Sequence, residues 1–366
     1  MLSPKQVLDI IECKASTDGH VVEDPITMPC GYGFCKSCYK TTKFCFKCEK
    51  EHVVNSDQIQ TNSLVLSVLR DSITEMNINC LVTLNEHISS VRCLIELKNG
   101  EVVSGSLDKT IKFWDIYQRK STYTLFGHTR GVLSLIELKS HELASGSTDR
   151  MIKIWNIDTK ACLATLCEHS DSVNCLIQIK NGKLLSGSSD KTIKIWDIKT
   201  RTYIASLIGH TDSVNCLFEL RNGLVISGSS DRTVKVWDIK NKICLATLIG
   251  HTGYVKCAIE IKNSSIVSGS FDGTIKVWDL RTTNCLFTLT GHTAWIYSLI
   301  ELQSGEVVSC SDDRTIKVWD LKYKICIATL QGHTKGVSCL TELKNGLLVS
   351  GSYDRSIKIW KRNDLL

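Results

Sequence analysis

The stretch CLATLIGHTGYVKCAIEIKNSSIVSGSFDGTIKVWDL, residues 244–280, decides the fold of most of this 366-residue chain. It holds four short runs of β-branched and apolar residues separated by turn residues. In TIKVWD the apolar Ile and Val alternate with Lys and Trp, as they do in a strand. The landmarks of this stretch recur every 41 residues. The tryptophans of the series are Trp114, Trp155, Trp196, Trp237, Trp278, Trp319 and Trp360.

A histidine and an aspartate keep the same step. The histidines are His87, His128, His169, His210, His251, His292 and His333. The aspartates are Asp108, Asp149, Asp190, Asp231, Asp272, Asp313 and Asp354. Residues 80–366 therefore hold seven units of 41 residues with nothing inserted. Four strands cannot bury both of their faces alone, whereas seven units arranged radially can, so the repeat predicts a mainly β fold, a closed seven-bladed β-propeller.

The pattern GH…SGS.D.TIK.WD resembles the WD-repeat family, and the resemblance covers about 287 of the 366 residues. It implies that the loop His, a strand Ser, the turn Asp and the Trp of each unit bond to one another, because each buried polar group needs a partner. A Ser/His/Asp set repeated seven times does not indicate a hydrolase, because a catalytic triad occurs once, beside a pocket. The predicted serines are Ser104, Ser145, Ser186, Ser227, Ser268, Ser309 and Ser350, with a second candidate two residues after each.

The repeat begins one strand out of phase. The first run, CLVTL (80–84), resembles the outer strand of a blade, and the chain ends shortly after the third-strand run SIKIW. We therefore expect the first strand to complete the last blade and close the ring without an exposed strand edge.

Residues that differ among the repeats predict where a partner binds, because the shared residues build the scaffold. Aromatic residues concentrate in the fifth and sixth repeats, and Trp295 is the only Trp outside the periodic series. Aromatic residues with a polar handle are typical interface anchors, although some of them could instead cap the local core. Asp312 beside them could select a basic or hydroxyl-bearing partner. The predicted site for a protein substrate or peptide comprises Tyr254, Lys256, Phe271, Trp295, Tyr297, Asp312 and Tyr353.

Charge and composition disfavour nucleic-acid binding and membrane association. Residues 80–366 hold 36 Lys/Arg against 28 Asp/Glu, a mild excess that disfavours nucleic acid as a partner. The clearest basic series follows the turn Asp in six repeats: Lys109, Arg150, Lys191, Arg232, Arg314 and Arg355. No apolar run approaches the roughly 18 residues of a membrane span, and the start of the chain lacks the features of a signal peptide. We therefore expect no membrane association and a cytoplasmic location, with the nucleus as the alternative.

The first 79 residues differ in composition from the rest, since they contain all three prolines and a cluster of six cysteines. PCGYGFCKSC and FCFKC resemble the cross-braced RING finger, with Ser16 and Tyr32 standing where two zinc ligands are expected. Structural zinc needs four ligands, so eight are required for two ions. The candidate ligands are Cys13, Cys30, Cys35, Cys38, Cys45 and Cys48, with His20 and His52 in place of the missing two. The number of bound zinc ions, two, one or none, remains open, because VVEDPITMP also resembles U-box domains, in which hydrogen bonds replace the metal.

This resemblance implies three segments: a small RING/U-box-like α+β zinc-finger domain (9–56), a helix and linker (57–79), and the propeller (80–366). It also implies a ubiquitin ligase that recruits a charged ubiquitin-conjugating enzyme and positions it without a covalent intermediate, so that no residue is catalytic. Val22, Ile26 and Phe46 are the candidate contacts with that enzyme. The alternative is a non-enzymatic scaffold whose finger is structural or pairs with a second copy of the chain.

Overall fold

The computed structural model describes residues 78–362, and four two-residue strands within the first 77 residues. The chain divides into two units, Met1–Asn77 and Ile78–Leu366. In the first unit β1 (Thr27–Met28) pairs in parallel with β2 (Tyr32–Gly33). The other two strands, β3 (Phe44–Cys45) and β4 (Lys50–Glu51), are antiparallel.

The second unit is built from seven four-stranded antiparallel sheets, which we number as blades one to seven in chain order of their inner strands. Each inner strand contacts the next, and the last contacts the first, so that they form a closed ring. They are β6 (Val91–Glu96), β10 (Val132–Glu137), β14 (Val173–Gln178), β18 (Val214–Glu219), β22 (Val255–Glu260), β26 (Ile296–Glu301) and β30 (Val337–Glu342). The second strands are entirely or almost entirely buried. They are β7 (Val102–Ser106), β11 (Glu142–Ser147), β15 (Leu184–Ser188), β19 (Val225–Ser229), β23 (Ile266–Ser270), β27 (Val307–Ser311) and β31 (Leu348–Ser352).

The third strand of each blade ends at or just after the periodic Trp. These strands are β8 (Ile111–Asp115), β12 (Ile152–Asn156), β16 (Ile193–Asp197), β20 (Thr233–Asp238), β24 (Ile275–Trp278), β28 (Ile316–Asp320) and β32 (Ile357–Arg362). The outer strands are partly exposed. They are β9 (Lys120–Leu125), β13 (Cys162–Leu166), β17 (Thr202–Leu207), β21 (Ile243–Ile249), β25 (Cys285–Leu289), β29 (Ile325–Leu330) and β5 (Ile78–Leu84). The seven-bladed propeller is confirmed.

Blade seven takes its outer strand from the beginning of the unit, which confirms the predicted ring closure. Strand β5 pairs antiparallel with β32 from Arg362 opposite Ile78 to Ile357 opposite Leu84. Leu84 is buried in a cluster with residues of blades one and seven. The strand begins at Ile78, two residues before the predicted start of the propeller, because pairing with β32 continues to the end of that strand.

Each blade contains the predicted hydrogen-bonded set of four side chains. In blade four the Trp237 indole donates to Ser227 Oγ at 2.7 Å, and His210 Nε2 lies 2.6 Å from the same oxygen. His210 Nδ1 lies 2.6 Å from Asp231 Oδ2. The other six blades repeat these contacts at 2.6–2.8 Å, always with the first serine of SGS. The second serine instead accepts from the backbone N–H of the turn Asp.

A ring of hydrogen bonds also joins each blade to the next. In one instance the backbone N–H of Lys98 donates to the Glu137 carboxylate at 2.6 Å. An equivalent donation recurs at every boundary, with the Gln178 amide oxygen as the acceptor between blades two and three, and the last one, from Lys344 to Glu96, joins blade seven to blade one. Adjacent blades are therefore joined by hydrogen bonds as well as by the packing of their apolar faces. None of the described residues forms a helix that could span a membrane.

Candidate partner-binding face

Two sets of connections lie together at one end of the propeller, which we call the upper face. One set precedes the inner strands, and the other joins the second and third strands. In blade five the Phe271 N–H donates to the Tyr254 carbonyl at 2.9 Å, and in blade six Asp312 donates to Trp295 at 2.8 Å. Tyr353 donates in the same way to Gly336 in blade seven. The backbone therefore brings together residues that are about 17 positions apart in each repeat.

Five aromatic rings of the upper face form a continuous chain of contacts, which we call the aromatic platform. Phe271 and Trp295 stack in parallel, with their centroids 4.5 Å apart and an interplanar angle of 5°. Tyr254 lies 5.7 Å from Phe271, and Tyr297 meets Phe271 edge to face at 5.5 Å. Tyr353 continues the chain at 5.3 Å from Tyr297. Blades five, six and seven therefore contribute to one surface.

The platform is exposed where its two outer rings lie. Trp295 is 48% exposed and Tyr254 45%, whereas Tyr297 is only 8% exposed. Phe271 is half-buried beneath Trp295. The platform is thus supported from below by buried aromatic surface and presents two amphipathic rings to a partner, an arrangement that is typical of interface anchors.

Two glycines of blade five lie in the connections that carry the platform. A Cβ on Gly253 would lie 2.5 Å from the Asp272 nitrogen and 2.8 Å from the Phe271 carbonyl carbon, so a side chain there would push the loop away from Phe271. Gly273 has a φ of +78°. Glycine adopts this left-handed conformation without the steric cost that other residues incur.

The equivalent of Gly273 in the other six blades is a lysine or arginine with a φ of 71–74°. This is the basic series of the sequence, and all six side chains are exposed. Their shared position is therefore a left-handed turn whose side chains extend into solvent.

Asp312 adds a negative charge at the edge of the platform. Its side chain is exposed, and Oδ1 accepts from the Tyr297 hydroxyl at 3.5 Å. Burial, together with the hydrogen bond to Tyr353, raises the pKa of Tyr297 above its usual range. Tyr297 therefore remains a neutral hydrogen-bond donor that orients the Asp312 carboxylate.

Lys256, the cation of the predicted site, contacts a polar side chain of blade four. It is half-buried, and its ammonium lies 3.4 Å from Asn215 Oδ1. Burial lowers the pKa of Lys256 to about 8, with a further contribution from the positive charge of Arg92. The sequence interpretation did not include Arg92 in the site. Its guanidinium donates to the Tyr353 hydroxyl and lies 5.0 Å from the centre of that ring.

The candidate zinc ligands and the contacts Val22, Ile26 and Phe46 lie outside the residues whose side chains the structure describes. So does the predicted helix and linker, apart from the last two residues, which belong to β5. Within residues 78–361, no group of three or more His, Cys, Asp or Glu side chains is placed to hold a metal ion. The predictions for the first 77 residues therefore stay predictions.

Comparison with protein families matches seven segments to the WD domain, G-beta repeat, each ending with the residue that follows a periodic Trp. The segments are 78–115, 119–156, 160–197, 201–238, 242–279, 283–320 and 324–361. The chain belongs to the WD-repeat family. No match was found among curated proteins.

A solved structure supports the same architecture for this WD-repeat protein. The crystal structure of the WD40 β-propeller domain of Doa1 is similar over 79% of this chain and 98% of the other, with 25% identity and a TM-score of 0.71. WD-repeat propellers are a protein-interaction fold, and this chain has that fold.

Proposed function

We propose that this WD-repeat protein is a ubiquitin ligase whose propeller captures a protein substrate on the aromatic platform. In this proposal residues 9–56 recruit a ubiquitin-conjugating enzyme charged with ubiquitin. The observation that carries the substrate-binding half is the half-exposed Trp295 stacked on Phe271. The Cys/His pattern of residues 13–52 carries the enzyme-recruiting half.

The platform is suited to an extended segment with one apolar or aromatic anchor. Trp295 is held in place by its stacking partner, so a ligand would not have to immobilise it on binding, which lowers the entropic cost of association. Asp312, beside it, would pair with a basic or hydroxyl-bearing residue next to the anchor. In this combination the rigid aromatic anchor contributes affinity, and the single charge determines the orientation in which the segment binds.

Selection of peptides tests the platform directly. We expect selection of a random phage-displayed peptide library against the full chain to yield peptides with a consensus sequence. Trp295→Ala should weaken the binding of those peptides by about 2 kcal/mol, or about thirtyfold in Kd. Tyr117→Ala is the matched control, because Tyr117 is 83% exposed in the turn between β8 and β9, away from the upper face. Equal weakening by both variants, or by neither, would contradict the assignment.

The ligase half acts by positioning, because a RING or U-box domain holds the charged enzyme while a substrate lysine attacks the thioester. Zinc, one or two ions, would be held by Cys13, Cys30, Cys35, Cys38, Cys45, Cys48, His20 and His52. A closed shell of Cys and His ligands stabilises a small domain that lacks a large apolar core. Val22, Ile26 and Phe46 would contact the conjugating enzyme, and the ligase would work in the cytoplasm.

We expect the full chain to accelerate discharge of ubiquitin from a panel of charged conjugating enzymes onto free lysine. The double variant Cys35→Ala/Cys38→Ala should lose this acceleration and still bind the platform peptides, since those residues lie outside the propeller. Loss on chelation would indicate a zinc finger, and activity that survives chelation a U-box-like domain. No acceleration across the panel would refute the ligase and favour a non-enzymatic scaffold.

A further inference from the structure

Trp295 presents one face of its ring to solvent. Phe271 covers the other face, because the two rings are parallel within 5° and their centroids are 4.5 Å apart. Trp295 is nevertheless 48% exposed, and within residues 78–361 no second ring and no cation lies over it. An open indole face that is held in place from below is suited to a flat group of a partner, either an apolar ring or a delocalised cation.

The Asp312 carboxylate lies beside this ring and has no resident cation. The Asp312 N–H donates to the Trp295 carbonyl at 2.8 Å, so the two residues are neighbours on adjacent connections. Gly336 lies so close to Asp312 Oδ1 that a Cβ there would overlap with it. Among the described residues the side chain accepts a hydrogen bond from the Tyr297 hydroxyl alone and belongs to no ion pair. The carboxylate is therefore available to a cation of a partner.

Blade five lacks the turn cation that the other six blades have. Gly273 occupies that position, and a Cβ there would lie 3.4 Å from the carbonyl oxygens of His292 and Ala294, in the connection that leads to Trp295. A lysine or arginine at residue 273 would therefore begin directly beside the aromatic platform. Because like charges repel, its absence favours a positively charged group of a partner at this part of the upper face.

We propose that the platform binds an arginine side chain of the captured segment, with its guanidinium stacked on the open face of Trp295 and paired with the Asp312 carboxylate. This inference rests on the proposed capture of a protein segment by the upper face. A guanidinium is planar, stacks on aromatic rings and forms two parallel hydrogen bonds with a carboxylate. An ammonium group has neither the flat shape nor the paired donors. One arginine would thus combine the anchor and the basic group of the segment in a single side chain.

The indole N–H of Trp295 reports this contact by NMR in the full chain, without any peptide. Seven of the eight tryptophans are buried in the hydrogen-bonded sets, so ¹⁵N-labelled tryptophan gives few signals, and the Trp295 signal is assigned by its loss in Trp295→Phe. We expect N-acetyl-L-arginine amide to shift this signal saturably with a Kd on the order of 10 mM, because one exposed contact of this kind is weak. N-acetyl-L-lysine amide at the same ionic strength should bind about fivefold more weakly.

Two variants test the charges on either side of the ring. Asp312→Asn should weaken binding of the arginine derivative about fivefold and remove most of its advantage over lysine. Asp158→Asn is the matched control, because Asp158 is exposed in the turn between β12 and β13, away from the upper face. Gly273→Arg restores the cation of the other blades and should also weaken binding, whereas Gly273→Asn, which is neutral and tolerates the left-handed conformation, should not.

The outcomes separate this proposal from the platform itself. Equal affinity for the two derivatives, an arginine response that persists in Asp312→Asn, or no response to the arginine derivative would overturn it. Selected peptides that depend on Trp295 but contain no arginine would support the platform and refute the arginine. A saturable arginine response without any selected peptide would support the arginine site and refute the capture of a longer segment.

Discussion

Ser227→Ala is expected to destabilise the propeller by about 2–5 kcal/mol, although it removes a single oxygen atom. That oxygen is fully buried and holds two neighbours: it accepts from the Trp237 indole and bonds to His210 Nε2. Alanine would leave an indole N–H and an imidazole nitrogen without a partner. Each unsatisfied buried group costs about 1–3 kcal/mol.

The electrostatics of the set fix the direction of the hydrogen bond between His210 and Asp231. Burial raises the pKa of the Asp231 carboxyl, but hydrogen bonds from His210 and Thr233 outweigh burial and hold the pKa well below its usual range. The carboxylate is therefore ionised and accepts from His210 Nδ1, while His210 Nε2 bonds to the Ser227 hydroxyl. The hydroxyl oxygen also accepts from the indole of Trp237, so a single serine oxygen bonds to two buried rings.

Thermal unfolding followed by circular dichroism measures the effect. A loss of this size should lower the midpoint by about 5–15 °C. Ser140→Ala is the matched control, because Ser140 is exposed on blade two and surface substitutions usually change stability by no more than about 0.5 kcal/mol. If Ser227→Ala unfolds at the wild-type temperature, the hydrogen-bonded set is not a determinant of stability.

Periodicity made the propeller predictable from the sequence. The 41-residue step places each Trp, His and Asp, and the phase of the first strand predicts the closure. The platform could also be anticipated, because Tyr254, Phe271 and Trp295 lie in consecutive repeats that must be neighbours in a ring. In these cases the fixed repeat length means that the position of a residue in the sequence determines its blade and its place within that blade.

Contacts that depend on side-chain direction could not be predicted in this way. Arg92 meets Tyr353 across 261 residues, and nothing in the repeat indicates that its side chain turns toward blade seven. The contact of the Lys256 ammonium with Asn215 of the preceding blade is a second example, because the repeat gives the position of each residue and not the direction of its side chain. One residue did indicate the left-handed turns. Gly273 occupies the position at which the other six blades have Lys or Arg, and glycine commonly marks a positive φ.

Deletion of the closing strand should have the other large effect. A chain that begins at residue 85 lacks β5, so the backbone of β32 would become an exposed edge opposite the positions of Ile78 to Leu84. Leu84 is only 1% exposed in its cluster, and Thr83 Oγ1 accepts from the Lys358 ammonium at 2.9 Å. Removing the strand therefore removes a ladder of hydrogen bonds and uncovers apolar side chains of blade seven at the same time.

We expect the chain from residue 85 to lose its cooperative unfolding transition and to self-associate, because an unpaired apolar edge recruits strands from other molecules. A chain from residue 78 is the control, and we expect it to stay monomeric and to unfold cooperatively, since the whole of β5 is retained. Light scattering and limited proteolysis distinguish the two. A monomeric, protease-resistant chain from residue 85 would show that contacts between blades, including the ring of bonds from Lys98 and its equivalents, hold the propeller without closure. In a closed ring those contacts depend on both neighbours of every blade being present, so losing one outer strand should weaken blade seven and, through it, blades six and one.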